Sequence, residues 1–254
     1  MSRARATDAL LGTAGVLAVL LAWELFARSG IVSPAVFPAP TAAVGRAIEM
    51  LTPADLAHHV GISLFRILAG FSLGAIAGIG IAVAAAWYRG FGRIVGPIVE
   101  LLRPIPPLAW IPMAIVWFGL GEPSKIFVIF LGAFFPILTN AYRGITGVDP
   151  VLLRAAQTMD VRGARLLTSV MLPAALPDIA TGLRVGWGLS FGVLVAAELI
   201  AADAGMGFLI TNARQVGEIG IVVFGILLIG TVNIVTDFAL AALIRRRLGK
   251  WHAV

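Results

Sequence analysis

Gly188-Leu189-Ser190-Phe191-Gly192 has the G-x-S-x-G spacing that presents a nucleophilic serine on a strand-to-helix turn. Such a serine needs a base within hydrogen-bond reach. The three histidines, His58, His59 and His252, all fall far from the depth of Ser190, and the surrounding Val185–Ala197 run reads as helix. Acyl-transfer chemistry is therefore not expected. The chain has no cysteine, which removes thiol chemistry and Cys-ligated metals. Its two lysines, Lys125 and Lys250, close no G-x-x-x-x-G-K-[ST] phosphate loop, so no nucleotide or other cofactor is expected in this chain. What remains is a scatter of polar and charged groups in apolar surroundings. In hydrocarbon such groups either meet an ion or solute or hydrogen-bond helices together.

The elements that place these groups follow from composition. Of 254 residues, 59% are hydrophobic and 13% charged, against about 25% charged in ordinary soluble domains. A helix needs about 20 apolar residues to span ~30 Å of hydrocarbon. Uncharged apolar runs predict an all-α membrane protein with six spanning helices, at about 8–27, 61–88, 94–119, 124–143, 179–201 and 219–244. Residues 1–60 form a first helix and an outer loop, and 61–254 the remaining transmembrane unit. Arg3 and Arg5 ahead of an apolar run resemble a signal peptide, but Trp23-Glu24-Leu25-Phe26 is a poor cleavage site, so the first helix is expected to be retained.

Basic residues orient the spans. With a cytoplasmic N-terminus, the inner segments hold Arg3, Arg5, Arg89, Arg93, Arg143, Arg154, Arg162, Arg165, Arg245, Arg246, Arg247 and Lys250. The outer ones hold Arg28, Arg46, Lys125 and Arg214. That asymmetry predicts both termini in the cytoplasm. The net charge of +6 then reports topology, and no nucleic-acid partner is needed to explain it.

Gly70, Gly74 and Gly78 make a smooth stripe on the second helix, repeated by Gly188 and Gly192 on the fifth. Small residues at this spacing let helix backbones approach closely. Pro104, Pro106, Pro107 and Pro112 prevent a regular third helix. Irregular backbone at membrane depth is tolerated where protein buries it or where it lines a cavity. Pro107 and Trp110 are therefore candidates for a pathway wall, and Glu100 and Arg103 for an i, i+3 ion pair or a pathway charge. Asn140, Ser190, Glu198, Thr231 and Asn233 complete the pathway candidates, with inter-helix hydrogen bonding as the alternative role.

Residues 149–173 separate the fourth and fifth helices. Asp149-Pro150 is an N-cap with proline at the first helical position. Val151, Leu152, Ala155, Ala156 and Met159 then form an apolar stripe, with Arg154 on another face. A second short helix through Leu166, Leu167 and Val170 is expected to stop at Pro173. Two helices too short to span suit either a docking surface for a cytoplasmic partner or a membrane-surface anchor.

This segment resembles the EAA loop of the permease subunits of binding-protein-dependent ABC importers. Ala155, Ala156 and Leu172-Pro173 match, with Val170 in the Ile position. Arg154 replaces the Glu, and Asp160 replaces the Gly. The stretches Glu100–Pro112, Trp117-Phe118-Gly119, Thr181–Arg184 and Ala196–Ile200 are similar to the sulfonate/nitrate/taurine branch of these permeases. Pro106–Trp110, Arg154–Gln157, Ala196–Ala202 and Trp251-His252 look most like its taurine members. The resemblance implies that Arg154, Ala155, Ala156, Asp160, Gly163, Arg165, Leu172 and Pro173 couple to an ATPase. It also implies a second copy of this chain, two ATPase subunits that bind the ATP-Mg, and an outer substrate-binding protein meeting the 203–218 loop. The implied function is uptake of taurine or a related sulfonate across the inner membrane, or of nitrate, bicarbonate or another small solute. A self-sufficient secondary transporter is the rival class, but no half-to-half repeat supports it.

Overall fold

The computed structural model describes residues 2–248, with side chains for residues 11, 12 and 14–246. Among the described residues every regular element is helical. In chain order these are α1 (Ser2–Arg28), α2 (Pro40–Met50), α3 (Pro53–Trp87), α4 (Arg89–Leu102), α5 (Ile111–Phe118) and α6 (Glu122–Thr146). They continue with α7 (Pro150–Thr158), α8 (Gly163–Leu166), α9 (Leu172–Ala201), α10 (Met206–Gln215) and α11 (Ile219–Leu248). A short 3₁₀ turn, Pro107–Trp110, precedes α5, and a π-helical turn, Leu167–Met171, joins α8 to α9.

The core is a sandwich of three helices with α6 in the middle. Position 70 of α3 meets Ile129, 74 meets Ala133 and 78 meets Leu138, so α3 and α6 run parallel. Position 132 of α6 meets Ser190 and 144 meets Asp178, so α9 runs the other way. A Cβ at Gly74 would lie 2.6 Å from Ala133 Cβ and 3.0 Å from a backbone oxygen, which explains why this stripe lacks side chains. Such closeness favours dispersion contacts, the main packing force between helices in lipid. Ile67, Ile129, Ala133, Ile137, Phe191 and Leu194 fill the seams. Phe71 meets Trp187 edge to face, with ring centroids 5.0 Å apart.

Local signals explain where the core helices begin. Thr52 caps α3 through a reciprocal box with Asp55, and Pro53 takes the first helical position. Gly121 and Pro123 similarly start α6.

Four helices are long and apolar enough to cross a membrane, Pro53–Trp87, Glu122–Thr146, Gly163–Ala201 and Ile219–Arg246, and α4 with the 107–118 segment makes a fifth if that bent pair is one span. The first expected span, 8–27, falls within α1, part of whose side chains lie outside the described residues, as do those of Arg3, Arg5, Arg247 and Lys250 and all of Trp251-His252.

The structure corrects several expectations. The span expected as one helix over 94–119 is two helices bent by 88°. Pro104, Pro106 and Pro107 remove successive amide donors, so the chain turns after Leu102 and restarts on the 3₁₀ turn. Pro173 does not stop the second loop helix: Gly163–Ala201 is continuous, and a π turn, Leu167–Met171, leads directly into Pro173 at the first turn of α9. Two stretches expected to be outer loop carry α2 and α10, which pack on the start of α11 through Ala47, Leu209, Ala213 and Ile221. Gly188 and Gly192 would meet nothing within 4 Å of an added Cβ, so this second stripe packs against nothing among the described residues.

Candidate functional site

Polar groups gather at three places along the bundle. At the end carrying α10 lies a buried charge cluster. Arg66 of α3 and Glu198 of α9 are 0% and 1% exposed. Arg66 donates to Glu198 at 2.9 Å, to both carboxylate oxygens of Glu122 at 2.7 and 2.6 Å, and to the Ala204 carbonyl. Glu198 also accepts from Ser63 Oγ at 2.7 Å and from the Gly207 amide at 2.9 Å. Lys125 reaches Glu122 at 3.3 Å. Gly205, at φ +124°, sits directly on the Glu198 carboxylate, and its amide donates to His59 Nδ1 at 3.1 Å. The charges are thus compensated by one another and by backbone dipoles, the condition for burying them. The cluster pins the start of α10 to α3 and α9.

The second place is an open-sided cavity of about 550 Å³ on the flank of α6, walled by α9 and by the turn after α4. Arg103, Pro107, Thr139, Asn140, Tyr142 and Arg143 line it. The Asn140 side chain donates to the Pro136 carbonyl at 2.8 Å, and the Thr139 hydroxyl donates to the Phe135 carbonyl. A smaller cleft of about 200 Å³ shares Arg103, Thr139 and Tyr142 with the cavity and adds Glu100. The expected Glu100–Arg103 ion pair is not formed among the described residues, although Arg103 keeps helical backbone angles at the C-cap of α4 and donates its amide to the Val99 carbonyl at 2.8 Å. Arg103, Pro107 and Asn140 are therefore brought together, with Glu100 beside them.

The other pathway candidates are placed elsewhere. Trp110 is half-buried against Trp117, with ring centroids 6.1 Å apart. Ser190 is fully buried and donates to the Ile129 carbonyl at 3.3 Å, so its hydroxyl ties α9 to α6. Glu198 belongs to the charge cluster. Thr231 donates to the Leu227 carbonyl of its own helix. Asn233 Oδ1 is buried without a hydrogen-bond partner among the described residues. Sequence reasoning did not single out Arg66, Glu122, Thr139 or Arg143. Arg66 carried a signal, a lone arginine inside a long apolar run, whereas Arg143 was absorbed into the charge count of an inner loop.

The third place is residues 149–173, at the opposite end from the charge cluster. Asp149 caps α7 by accepting the Val151 amide at 2.7 Å. α7 closes with a paired C-terminal motif, Val161 N–H to Ala156 O at 3.0 Å and Asp160 N–H to Gln157 O at 3.0 Å. That motif requires a left-handed residue at position 160, and Asp160 supplies it at φ +59°. Arg154, Ala155, Asp160, Gly163 and Arg165 are exposed, Ala156 is buried, and Leu172 and Pro173 are half-buried where α9 begins. Val151, Leu152 and Met159 expose large apolar surfaces on the same short helix.

Long apolar helices packed around α6, a polar cavity in their flank and a helical arm at one end define a multi-pass membrane transport subunit. The chain belongs to the family of binding-protein-dependent transport system inner membrane components, whose pattern matches residues 70–249. It is 39% identical to the taurine transport system permease protein of Escherichia coli strain K12 over 244 residues, 94% of this chain and 88% of that one. The putative aliphatic sulfonates transport permease protein of Bacillus subtilis strain 168 is 37% identical, over 92% of this chain and 85% of its own length. The bicarbonate transport system permease protein of Synechococcus elongatus is 34% identical, over 90% and 85%. The fold is that of a chain from the inward-facing MetNI methionine ABC transporter, with TM-score 0.59 and 22% identity over 72% of this chain and 92% of that one.

Proposed function

We propose that this chain is the membrane-spanning half of an ATP-driven importer for taurine or a related small sulfonate, working by alternating access. It pairs with a second copy of itself, two cytoplasmic ATPases that bind ATP-Mg, and an outer substrate-binding protein. The end bearing residues 149–173 and both termini then face the cytoplasm. One observation carries the mechanism: the arm is not a loose loop, because α8 continues without a break into α9. A rigid helix leading from an exposed docking face to the core transmits displacement, whereas a flexible loop would absorb it. The substrate class is supported by the taurine and sulfonate relatives, while the bicarbonate relative is named for a different small anion.

The test is reconstitution. Co-expressed with its ATPase and binding protein, the chain should co-purify with the ATPase and drive taurine uptake into vesicles only with ATP. Uptake without ATP, or an ATPase that fails to co-purify, would overturn this reading. Arg154→Glu and Arg165→Glu should weaken substrate-stimulated ATP hydrolysis while the chain still inserts in the membrane. Unchanged ATP-dependent uptake would remove these residues from the coupling surface.

A further inference from the structure

We propose that the cavity between α6, α9 and the turn after α4 is a substrate subsite for a small zwitterion. In it Arg103 and Arg143 hold an oxyanion, while the Gly132 carbonyl and Asn140 Oδ1 receive an ammonium group. This assignment rests on the permease reading above and gives that reading its chemistry at one site.

The cation side of the cavity is unbalanced. No carboxylate lines it, although two arginines do, and Glu100 lines only the adjoining cleft. Among the described residues Arg103 pairs with no acid, and Arg143 has only Asp178 at 3.8 Å, with its side chain 78% exposed. Arginine stays charged in proteins and presents a planar fork suited to oxyanions. Two such groups facing one concave space raise the local concentration of anions. A cavity of about 550 Å³ lies within the roughly 300–1,000 Å³ range of small-molecule sites. Its open side suits a site that must release what it binds.

The acceptor side follows from one proline. Pro136 lies inside α6 and has no amide hydrogen, so the Gly132 carbonyl, on the cavity wall one turn earlier, lacks its helical donor. Asn140 sits one turn after Pro136 and donates its side-chain amide to the Pro136 carbonyl. Its Oδ1 is left to accept. The cavity therefore offers donors at the arginine end and acceptors along α6. An aminosulfonate satisfies both, whereas an alkanesulfonate, which has no hydrogen-bond donor, satisfies the arginines alone.

Because the chain has no cysteine, Val185→Cys on the cavity wall gives one labelling site per copy of this chain, read by intact mass of this chain apart from its partners. The full transporter in lipid nanodiscs is labelled with an anionic sulfonatoethyl methanethiosulfonate and with its cationic trimethylammonium counterpart, each rate normalised to free cysteine. The expected result is an anion preference of about tenfold or more. Arg103→Gln with Arg143→Gln should abolish it, and Arg103→Lys should keep it. Taurine at millimolar concentration should slow labelling more than ethanesulfonate, which lacks the amine. Equal normalised rates in Val185→Cys alone would overturn the oxyanion assignment without any arginine variant having to fold. Equal protection by taurine and ethanesulfonate would overturn the ammonium assignment. Anion preference and protection without ATP-driven uptake would leave the site standing and sink the transport reading. ATP-driven uptake with unselective labelling would do the reverse.

Discussion

Arg66 and Glu198 are buried ions that hold one another in place. Their geometry makes a specific prediction, because removing one member of a buried pair leaves the other without compensation, at a cost of about 3–5 kcal/mol. Arg66→Met or Glu198→Leu alone should sharply lower the thermal stability of the purified complex. The double variant should be more stable than either single one, since apolar side chains of similar volume need no partner. A double variant as unstable as the sum of the singles would show that the two ions contribute independently, without coupling. Asp160 makes a different case. A left-handed conformation costs a non-glycine residue roughly 1–2 kcal/mol, and Asp tolerates it better than most. Asp160→Gly should preserve the close of α7, and Asp160→Val should fray it. Faster hydrogen exchange at the Val161 amide, whose bond to Ala156 closes the motif, is the readout. The glycine expected at this position by resemblance is thus replaced without losing the turn.

Packing decides which features of the helices can be changed. At Gly74 a larger side chain has nowhere to go, because Ala133 Cβ and the Phe130 carbonyl lie 2.6 and 3.0 Å from a built Cβ. Gly74→Val should destabilise the bundle by about 1–3 kcal/mol or more, whereas Gly192→Val, with open space around it, should leave the melting temperature of the chain unchanged. α2 is fastened to the head of α11 by Arg46, which donates to both carboxylate oxygens of Glu218 at 2.9 and 2.7 Å. That guanidinium holds the Glu218 carboxyl below its ordinary value of 4.5. A lowered acid stabilises the fold above the ordinary value and loses its contribution as pH falls through the lowered one. Exchange in α2, corrected for intrinsic rates, should therefore be flat near neutrality and rise in acid below 4.5, and Glu218→Gln should remove that pH dependence. The core spans were legible because their apolar runs are long and carry few charges. α2 and α10 were not, because they span only 11 and 10 residues, and both bury their faces on α11, which for α2 lies far away in sequence. Pro173 reads as a stop in local rules, yet the helix passes it directly after a π turn. The Arg66–Glu198 pair joins residues 132 positions apart, a separation to which periodicity and spacing are blind.

Across the whole molecule, the unbroken helix from Gly163 to Ala201 links the two ends that matter. It starts beside the left-handed turn at Asp160, passes the cavity at Val185 and Leu189, and ends three residues beyond Glu198 in the charge cluster. Along the way Gly144 lets α6 approach Asp178 closely, so α6 and α9 move together if either moves. A displacement delivered at Gly163, where this helix begins, is then carried past the cavity to the α10 end within one continuous helix. Two glycines inserted between Met171 and Leu172 should break this transmission, since each costs a helix about 1 kcal/mol relative to alanine and the pair offers a hinge. The exposed face of α7 would be untouched, so the ATPase should still co-purify and hydrolyse ATP. Uptake per ATP hydrolysed should fall to background. The same insertion at Gly30, in the link between α1 and α2 where no core helix is interrupted, serves as the matched control and should leave uptake per ATP unchanged. Normal uptake per ATP with the hinge in place at Met171 would mean that movement reaches the cavity by another route, and α9 would lose its role as the rod.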